Sequence, residues 1–243
     1  MNSLQNKNVL VTGSSSGIGK SIAEKFAEQK ANVGIHYCHN KKGAFDLAKK
    51  LAKLTKVKVY CQDLESDKLD LVHQFVKDFG GIDILINNAG IPGSESFFDM
   101  SVKDYDKIFK INSRSAFILA RDSFEYMKKK KSGRIINISS FAVNYGRGRN
   151  DSIQYAATKA TLETLTKGLS ILGAEYNILV NAIRPGVIMT RLQEKRKDLK
   201  SRINLIPLKR AGTVEDISNL AVYLASDKGD FITGQVISVS GGE

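Results

Sequence analysis

The chain has 243 residues, enough to bury a sizeable core as one large domain or two small ones. Hydrophobic residues make up 42% and charged residues 26%, as in ordinary globular proteins, and no apolar run reaches the ~18–20 residues that a membrane-spanning helix needs. The formal net charge of +12 can attract phosphates, nucleic acid or an acidic protein, but the basic residues are spread along the chain and name no partner.

The two cysteines do not form a disulfide framework, and the three histidines are too scattered to predict a metal site. Cys38 and Cys61 fall near predicted strand ends, where we expect buried or half-buried thiols. Residues 1–7 contain no apolar signal core. A cytoplasmic location without a membrane partner is therefore the default expectation.

The first predicted strand, residues 7–12, leads into a glycine-rich turn, Gly13-Ser14-Ser15-Ser16-Gly17-Ile18-Gly19, and then into a helical pattern. Glycines in such a turn let the backbone approach a pyrophosphate, while the helix N-terminus attracts negative charge. The spacing is G-x-x-x-G-x-G rather than G-x-G-x-x-G. The alternative is a glycine turn without a ligand.

The second predicted strand, residues 32–37, ends where a dinucleotide-binding fold meets the adenosine ribose. An acidic residue there would bind the 2′-hydroxyl of NAD, but Tyr37 and His39 lead instead into Lys41 and Lys42. These lysines could neutralise a 2′-phosphate, and cations in a first helical turn oppose the helix dipole, which favours a bound anion. The sequence favours NADP; the alternative is that the lysines only open an exposed helix.

The middle of the chain continues the alternation with a strand at 57–61, a helix at 66–79 and a strand at 82–86. Asn87-Asn88-Ala89-Gly90 follows at once, either in the ligand crevice of an open α/β sheet or as a plain turn. The next helix, 102–129, contains Asn112 in an otherwise apolar-periodic segment. Asparagine is a poor helix-interior residue, so it marks either a polar face or a bend that presents a backbone group.

The last third begins with a strand at 134–138 that closes on Ser139-Ser140, and a loop at 141–151 follows. Arg147 and Arg149 in this loop either bind an anionic substrate or are solvated. A strand at 178–183 precedes a polar stretch at 190–210, which is either a substrate lid or a surface helix pair. A helix at 214–225 and a strand at 236–239 complete an alternation that predicts one α/β domain over residues 1–243, a parallel sheet with helices on both faces.

Tyr155 and Lys159 lie four residues apart in a predicted helix and therefore share one face. A cation at that range favours phenolate and lowers the tyrosine pKa from about 10. A tyrosine tuned in this way can exchange a proton with a carbonyl or an alcohol. The alternative is an exposed pair without a chemical role.

Taken together, these motifs resemble the short-chain dehydrogenase/reductase family over essentially the whole chain. The matching elements are Thr12-Gly13-x-x-x-Gly17-Ile18-Gly19, Asp63, Asn87-Asn88-Ala89-Gly90, Asn112, Ser140, Tyr155-x-x-x-Lys159, Pro185-Gly186 and the tail 232–237. The resemblance implies a Rossmann-like doubly wound parallel sheet of about seven strands. It also implies a homotetramer and an NAD(P)-dependent enzyme that interconverts a carbonyl and a secondary alcohol by hydride transfer.

The resemblance further implies specific roles. Tyr155 would exchange the proton, Lys159 would lower its pKa and hold the nicotinamide ribose, Ser140 rather than Ser139 would bond the substrate carbonyl, and Asn112 would anchor a relay water. Besides Tyr155 and Lys159, the implied cofactor-binding residues are Gly13, Ser15, Ser16, Gly17, Ile18, Gly19, Tyr37, His39, Asp63, Leu64, Asn88, Ala89, Gly90, Pro185, Gly186, Val187, Ile188 and Thr190.

Within that family the chain is most similar to 3-oxoacyl-acyl-carrier-protein reductases of fatty acid biosynthesis, which implies an acyl-thioester substrate and an acyl carrier protein as partner. Three features depart from that pattern: a 15-residue spacing of Ser140 and Tyr155, Tyr176 near the usual carrier-binding arginine, and Ser16 where NADP members often carry a basic residue. Lys131 could supply another carrier contact. The alternatives are a sugar or polyol dehydrogenase, another small-ketone reductase, and a non-catalytic dinucleotide-binding regulator or nucleic-acid binder.

Overall fold

The computed structural model describes residues 4–93, 96–145, 153–194 and 198–243. Its sheet has seven parallel strands in the order β3-β2-β1-β4-β5-β6-β7. The strands are β1 Asn8–Val11, β2 Asn32–Tyr37, β3 Val57–Cys61, β4 Ile84–Asn87, β5 Gly133–Ile138, β6 Ile178–Pro185 and β7 Val236–Val239.

Helices cover both faces of this sheet, so the predicted doubly wound α/β fold is confirmed. The helices are α1 Gly17–Glu28, α2 Lys41–Leu51, α3 Leu71–Phe79, α4 Val102–Phe109, α5 Ser115–Lys130, α6 Ala142–Tyr145, α7 Ile153–Gly173, α8 Arg191–Glu194, α9 Leu199–Leu205 and α10 Val214–Ala225. Each helix in the described ranges is too short or too polar to cross a bilayer.

Two apolar clusters, one on each face, hold the helices to the sheet. On one face Ile22 and Phe26 of α1, four residues apart, pack with Leu224 of α10 against the sheet. On the other face Phe75 of α3 and Leu119 of α5 are buried with the apolar side chains of β4 and β5. Full burial of a side chain of this size contributes roughly 1.5–3 kcal/mol, so these contacts fix the layers that position the strand ends.

Two helix boundaries differ from the sequence predictions. The helix predicted at 66–79 begins only at Leu71, because side chains compete for the backbone before it: Asp63 Oδ1 accepts from Glu65 N at 2.9 Å and Ser66 Oγ from Lys68 N at 3.2 Å. The helix predicted at 102–129 is divided by a π-helical turn, Lys110–Arg114, which contains Asn112. This turn interrupts the regular α-helix at the position that Asn112 marked in the sequence, and such turns recur at functional sites.

The thiol prediction is correct for one cysteine only. Cys38 is half-buried, whereas Cys61 is exposed because it ends β3, the edge strand of the sheet. Strand β6 also continues two residues beyond the predicted end, through Arg184 to Pro185. Proline is tolerated there because it closes the strand, and its carbonyl still accepts a hydrogen bond from Phe141 N at 2.9 Å.

The strand order reverses direction between β1 and β4. In open α/β sheets the carboxyl ends of the strands diverge at such a point and leave a crevice for a ligand. The glycine turn follows β1 and the segment from Asn88 to Gly90 follows β4, so both predicted motifs lie at this crevice.

Candidate active site

The glycine turn packs tightly against the segment after β4. Gly13 has φ +62°, and a Cβ on it would lie 2.9 Å from Ala89 Cα. A Cβ on Gly19 would lie only 2.4 Å from Asn88 Nδ2. That amide donates hydrogen bonds to the carbonyls of Thr12 at 2.8 Å and Gly13 at 3.2 Å. The glycines therefore allow the two edges of the crevice to meet.

The start of α1 fits an anionic ligand. Its N-cap, Ser16, makes no side-chain capping bond among the described residues, and the first turn carries no acidic residue. Backbone N–H groups at a helix N-terminus that lack a capping side chain and a nearby carboxylate attract a phosphate. The predicted residues Ser15, Gly17 and Ile18 belong to this same turn. The residues present therefore fit the pyrophosphate of a dinucleotide.

The predicted adenosine residues lie together at the ends of β2 and β3. Tyr37 and Leu64 are buried, whereas His39 and Asp63 are exposed. Lys41 and Lys42 occupy the first turn of α2, as predicted. Their ammonium groups already have surface contacts: Lys41 Nζ lies 5.9 Å from the centroid of the Phe45 ring, and Lys42 Nζ donates to Asp46 Oδ2 at 2.6 Å.

A cavity of about 300 Å³ opens beside the glycine turn. Ser140, Tyr155 and Lys159 line it. The predicted cofactor residues that border it are Ile18, Asn88, Gly90, Pro185, Gly186, Ile188 and Thr190. Gln193 of α8 and Arg202 of α9 form another part of the wall, so the stretch predicted at 190–210 borders the cavity. Arg147 and Arg149 lie outside the described residues.

The serine next to the tyrosine is Ser140. Its hydroxyl hydrogen-bonds Tyr155. Ser139 is 3% exposed, and its Oγ donates instead to Glu163 Oε1 at 2.6 Å. The structure thus places Ser140 and Tyr155 together despite their wide sequence spacing, and it directs Ser139 away from them.

Lys159 lies close to Tyr155 but does not lower the tyrosine pKa in the protein alone. Its Nζ donates to the Ile138 carbonyl at 2.8 Å and lies 5.9 Å from the centroid of the Tyr155 ring. Burial lowers the pKa of Lys159 to about 8. Burial also raises the pKa of Tyr155 above its ordinary value of 10.0, although the Ser140 hydrogen bond opposes that rise.

The predicted pKa direction for Tyr155 is therefore wrong for the chain by itself. Tyr155 is only half-buried, since it borders the cavity, yet the surrounding protein removes its hydroxyl from most of the water that would solvate a phenolate. With a pKa of about 8, Lys159 remains mostly protonated at neutral pH. A phenolate formed during turnover would consequently still face an ammonium group.

Asn112 lies behind the cavity and connects three elements. Its Oδ1 accepts from Ile91 N at 2.8 Å, and its Nδ2 donates to the Ile91 carbonyl at 2.9 Å and to Thr158 Oγ1 at 3.1 Å. A Cβ on Gly90 would come within 3.1 Å of that Oδ1. The amide therefore fixes the segment after β4 against α7, one residue before Lys159.

The segment after β6 reaches back to the glycine turn. Thr190 Cγ2 lies 3.7 Å from the position that a Cβ on Gly17 would occupy. Val187 is buried beside the cavity residues that flank it. The predicted residues from both halves of the chain thus converge on one crevice.

Sequence reasoning missed an ion pair under the site. Arg184 Nη2 and Nε donate to the two carboxylate oxygens of Glu163 at 2.6 Å and 2.9 Å, and Glu163 also accepts from Ser139. Bidentate pairs of this kind are strong and geometrically specific. The available signal was the position of Glu163, one helical turn after Lys159 on the same face.

Sequence reasoning also missed His36 in β2, whose ring contacts the glycine turn. Its Nδ1 accepts a hydrogen bond from Gly13 N at 3.0 Å, and the residue is 2% exposed. A polar residue inside an otherwise apolar buried strand was the signal.

Replacement of Gly19 by alanine should damage the site. The new methyl would overlap Asn88 Nδ2 and the Gly13 carbonyl, and overpacking of this kind costs about 2 kcal/mol of unfolding free energy. Gly168→Ala is the matched control, since it also lies in a helix and has nothing within 4 Å of the added Cβ. Urea unfolding should show a loss for Gly19→Ala and a gain of up to about 1 kcal/mol for Gly168→Ala. Equal stability of the two variants would contradict the packing described for the turn.

Known proteins share this sequence pattern and fold. The family model described as Enoyl-(Acyl carrier protein) reductase matches residues 13–243. The chain is 36% identical over 251 residues to the 3-oxoacyl-[acyl-carrier-protein] reductase FabG of Aquifex aeolicus, with 98% of each chain covered.

Two solved structures superpose closely on the chain. A blue fluorescent protein from a metagenomic library, crystallised with NADPH, has a TM-score of 0.94 at 30% identity and covers 99% of this chain and 98% of its own. The acetoin dehydrogenase YohF of Salmonella typhimurium has a TM-score of 0.89 at 31% identity, with 98% and 97% covered. The sequence match and the site geometry agree: this chain is an oxidoreductase that belongs to the short-chain dehydrogenase/reductase family.

Proposed function

We propose that the protein is an NADPH-dependent reductase of a carbonyl group, with a 3-oxoacyl thioester as its substrate. The observation that carries the proposal is the hydrogen-bonded pair of Ser140 and Tyr155 at the wall of a cavity that adjoins the glycine turn. Two hydroxyl donors that converge on one point can stabilise charge that develops on a carbonyl oxygen.

Four side chains of the protein would then have separate roles in the reaction. NADPH, when bound, supplies the hydride. Ser140 donates a hydrogen bond to the substrate oxygen, and Tyr155 gives that oxygen its proton. Lys159, fixed by the Ile138 carbonyl, presents an ammonium to the tyrosine side of the cavity. Asn112 holds the segment after β4 against α7.

The substrate class is supported by the relatives and by the cavity wall. The relative from Aquifex aeolicus is named a 3-oxoacyl-[acyl-carrier-protein] reductase. Ile91, Pro92 and Phe141 give the cavity apolar surface that suits an acyl chain. A small ketone is the second candidate, because a protein named acetoin dehydrogenase shares this fold at 31% identity. The cavity volume, about 300 Å³, lies at the small end for ligand sites.

One assay panel tests this proposal. Acyl thioesters on coenzyme A and on acyl carrier protein, acetoin, other simple ketones, and sugars or polyols should be assayed with NADPH, NADH and their oxidised forms. We expect the highest kcat/KM for a 3-oxoacyl thioester with NADPH. Higher kcat/KM for acetoin would favour the small-ketone candidate, and a higher value for a polyol would favour a polyol dehydrogenase. No turnover with any of these compounds would overturn the reductase proposal.

We also propose that the enzyme is a homotetramer that uses α5 and α7 at one interface. The support is an outward-facing apolar residue on α5, Phe117, which is 50% exposed. Sedimentation equilibrium of the wild-type protein and of Phe117→Glu should give four chains and fewer than four, respectively. A wild-type monomer would contradict the proposal.

The preference for NADPH should depend on the first turn of α2. We expect Lys41→Ala/Lys42→Ala to weaken NADPH binding about tenfold, because a 2′-phosphate would lose charged partners, and to leave NADH binding unchanged. Lys49→Ala, on the same helix but in its last turn, is the control. Fluorescence titration measures both affinities. Tighter binding of NADH than NADPH by the wild-type protein would show that the cofactor prediction is wrong.

A further inference from the structure

His36 connects the turn after β1 with the segment after β3. It lies in β2, between those two strands, and it is 2% exposed. Its Nδ1 is 3.0 Å from Gly13 N and its Nε2 is 2.9 Å from the Gln62 carbonyl oxygen. Its backbone N–H also donates to Ser14 Oγ at 3.1 Å, and its carbonyl accepts from Ser14 N at 2.9 Å.

These partners determine the protonation state of the ring. The Gly13 N–H can only donate, so Nδ1 must present its lone pair. The Gln62 carbonyl can only accept, so Nε2 must carry the hydrogen. One neutral imidazole thus satisfies both groups, whereas an imidazolium would direct a second N–H at the Gly13 N–H.

We propose that neutral His36 is a positioning residue of the dinucleotide site: it fixes the glycine turn relative to the Gln62-Asp63 segment. The inference rests on the proposed function, because it assumes that these two edges hold the pyrophosphate and the adenosine. His36 would act only through Gly13 and Gln62. Its effect is therefore on cofactor affinity and not on proton transfer at Tyr155.

Burial of the ring supports the neutral form. Burial lowers the pKa of His36 below 6.5, and the Gln62 carbonyl and the Asp63 carboxylate, which favour the protonated ring, oppose that effect only in part. Because the folded-state pKa is depressed, the stability that the neutral ring contributes is present above pH 6.5. It is lost as the pH falls through the folded-state pKa.

The test compares two replacements of His36 with a surface control. His36→Leu removes both hydrogen bonds, and we expect it to weaken NADPH and NADH binding about tenfold in fluorescence titrations. His36→Asn keeps an amide oxygen near the Nδ1 position and should retain affinity within about threefold, which a purely space-filling role would not produce. His73→Leu, at an exposed position of α3, should bind like the wild-type protein.

Nitrogen-15 NMR of the wild-type protein tests the tautomer without a variant and without turnover. We expect His36 as the Nε2–H form near neutral pH, and a loss of NADH affinity at acid pH that His36→Asn abolishes. NADH is used here because it has no 2′-phosphate to titrate. A Nδ1–H tautomer, or wild-type affinity in His36→Leu, would overturn the inference. Wild-type protein that binds neither dinucleotide would instead overturn the proposed function.

Discussion

Tyr155→Phe should lower kcat about a thousandfold, because it removes the only proposed proton donor to the substrate oxygen. The phenyl ring fills the same space beside Lys159 on α7, so cofactor binding should remain within about threefold of wild type. Single-turnover oxidation of NADPH, followed by absorbance, measures the chemical step. Fluorescence titration of the same preparation measures cofactor affinity.

A pair of serine variants is the control for that experiment. Ser139→Ala should lower turnover far less than Ser140→Ala, because Ser139 bonds Glu163 whereas Ser140 bonds Tyr155. A Tyr155→Phe variant with turnover within tenfold of wild type would show that another group transfers the proton. The proposed role of Tyr155 would then be wrong even though the fold and the family assignment stand.

Glu163→Ala should have the largest effect on stability, a loss of about 3 kcal/mol of unfolding free energy, because it leaves Arg184 without its bidentate partner. The two side chains are only 12% and 16% exposed, so water compensates little. The Glu163 hydrogen bond raises the pKa of Arg184. An arginine side chain stays charged at neutral pH even without such a partner, so the variant would carry an unpaired guanidinium charge. Urea unfolding at neutral pH measures the loss.

Two further variants distinguish the loss of the Glu163–Arg184 ion pair from a general effect of removing a carboxylate. Glu175→Ala removes an exposed carboxylate just after α7 and should change stability little. Glu163→Leu/Arg184→Leu removes both charges and should recover part of the loss, since the desolvated guanidinium is gone. Equal stabilities of Glu163→Ala and Glu175→Ala would contradict a structural role for the pair.

Loss of Glu163 should also lower the activity of the enzyme. Ser139 immediately precedes Ser140, and its hydroxyl donates to Glu163 Oε1. Without that acceptor the turn after β5 loses one of its restraints, so kcat should fall with little change in cofactor affinity. This split differs from the effect expected at His36, where affinity changes and kcat at saturating cofactor does not.

The motifs that sequence reasoning found are those whose function depends on local backbone geometry. The glycine turn, the i,i+4 spacing of Tyr155 and Lys159, and the alternation of strands and helices are each encoded within a few residues. The structure brings the predicted residues of both halves to one crevice, since parallel strands place their carboxyl ends at the same edge of a sheet. Asn112 was found as an irregularity of its helix, and the π-helical turn explains it.

The sequence by itself determined the fold class, the strand ends that border the crevice and the residue types that meet there. Only the tertiary structure decided that the Ser139 hydroxyl donates to Glu163, that burial raises the pKa of Tyr155, and that His36 contacts the glycine turn. The physical reason is the range of the interactions. Backbone conformation is set mainly by near neighbours in the chain, whereas pKa values and hydrogen-bond partners depend on burial and on groups that folding brings together from distant positions.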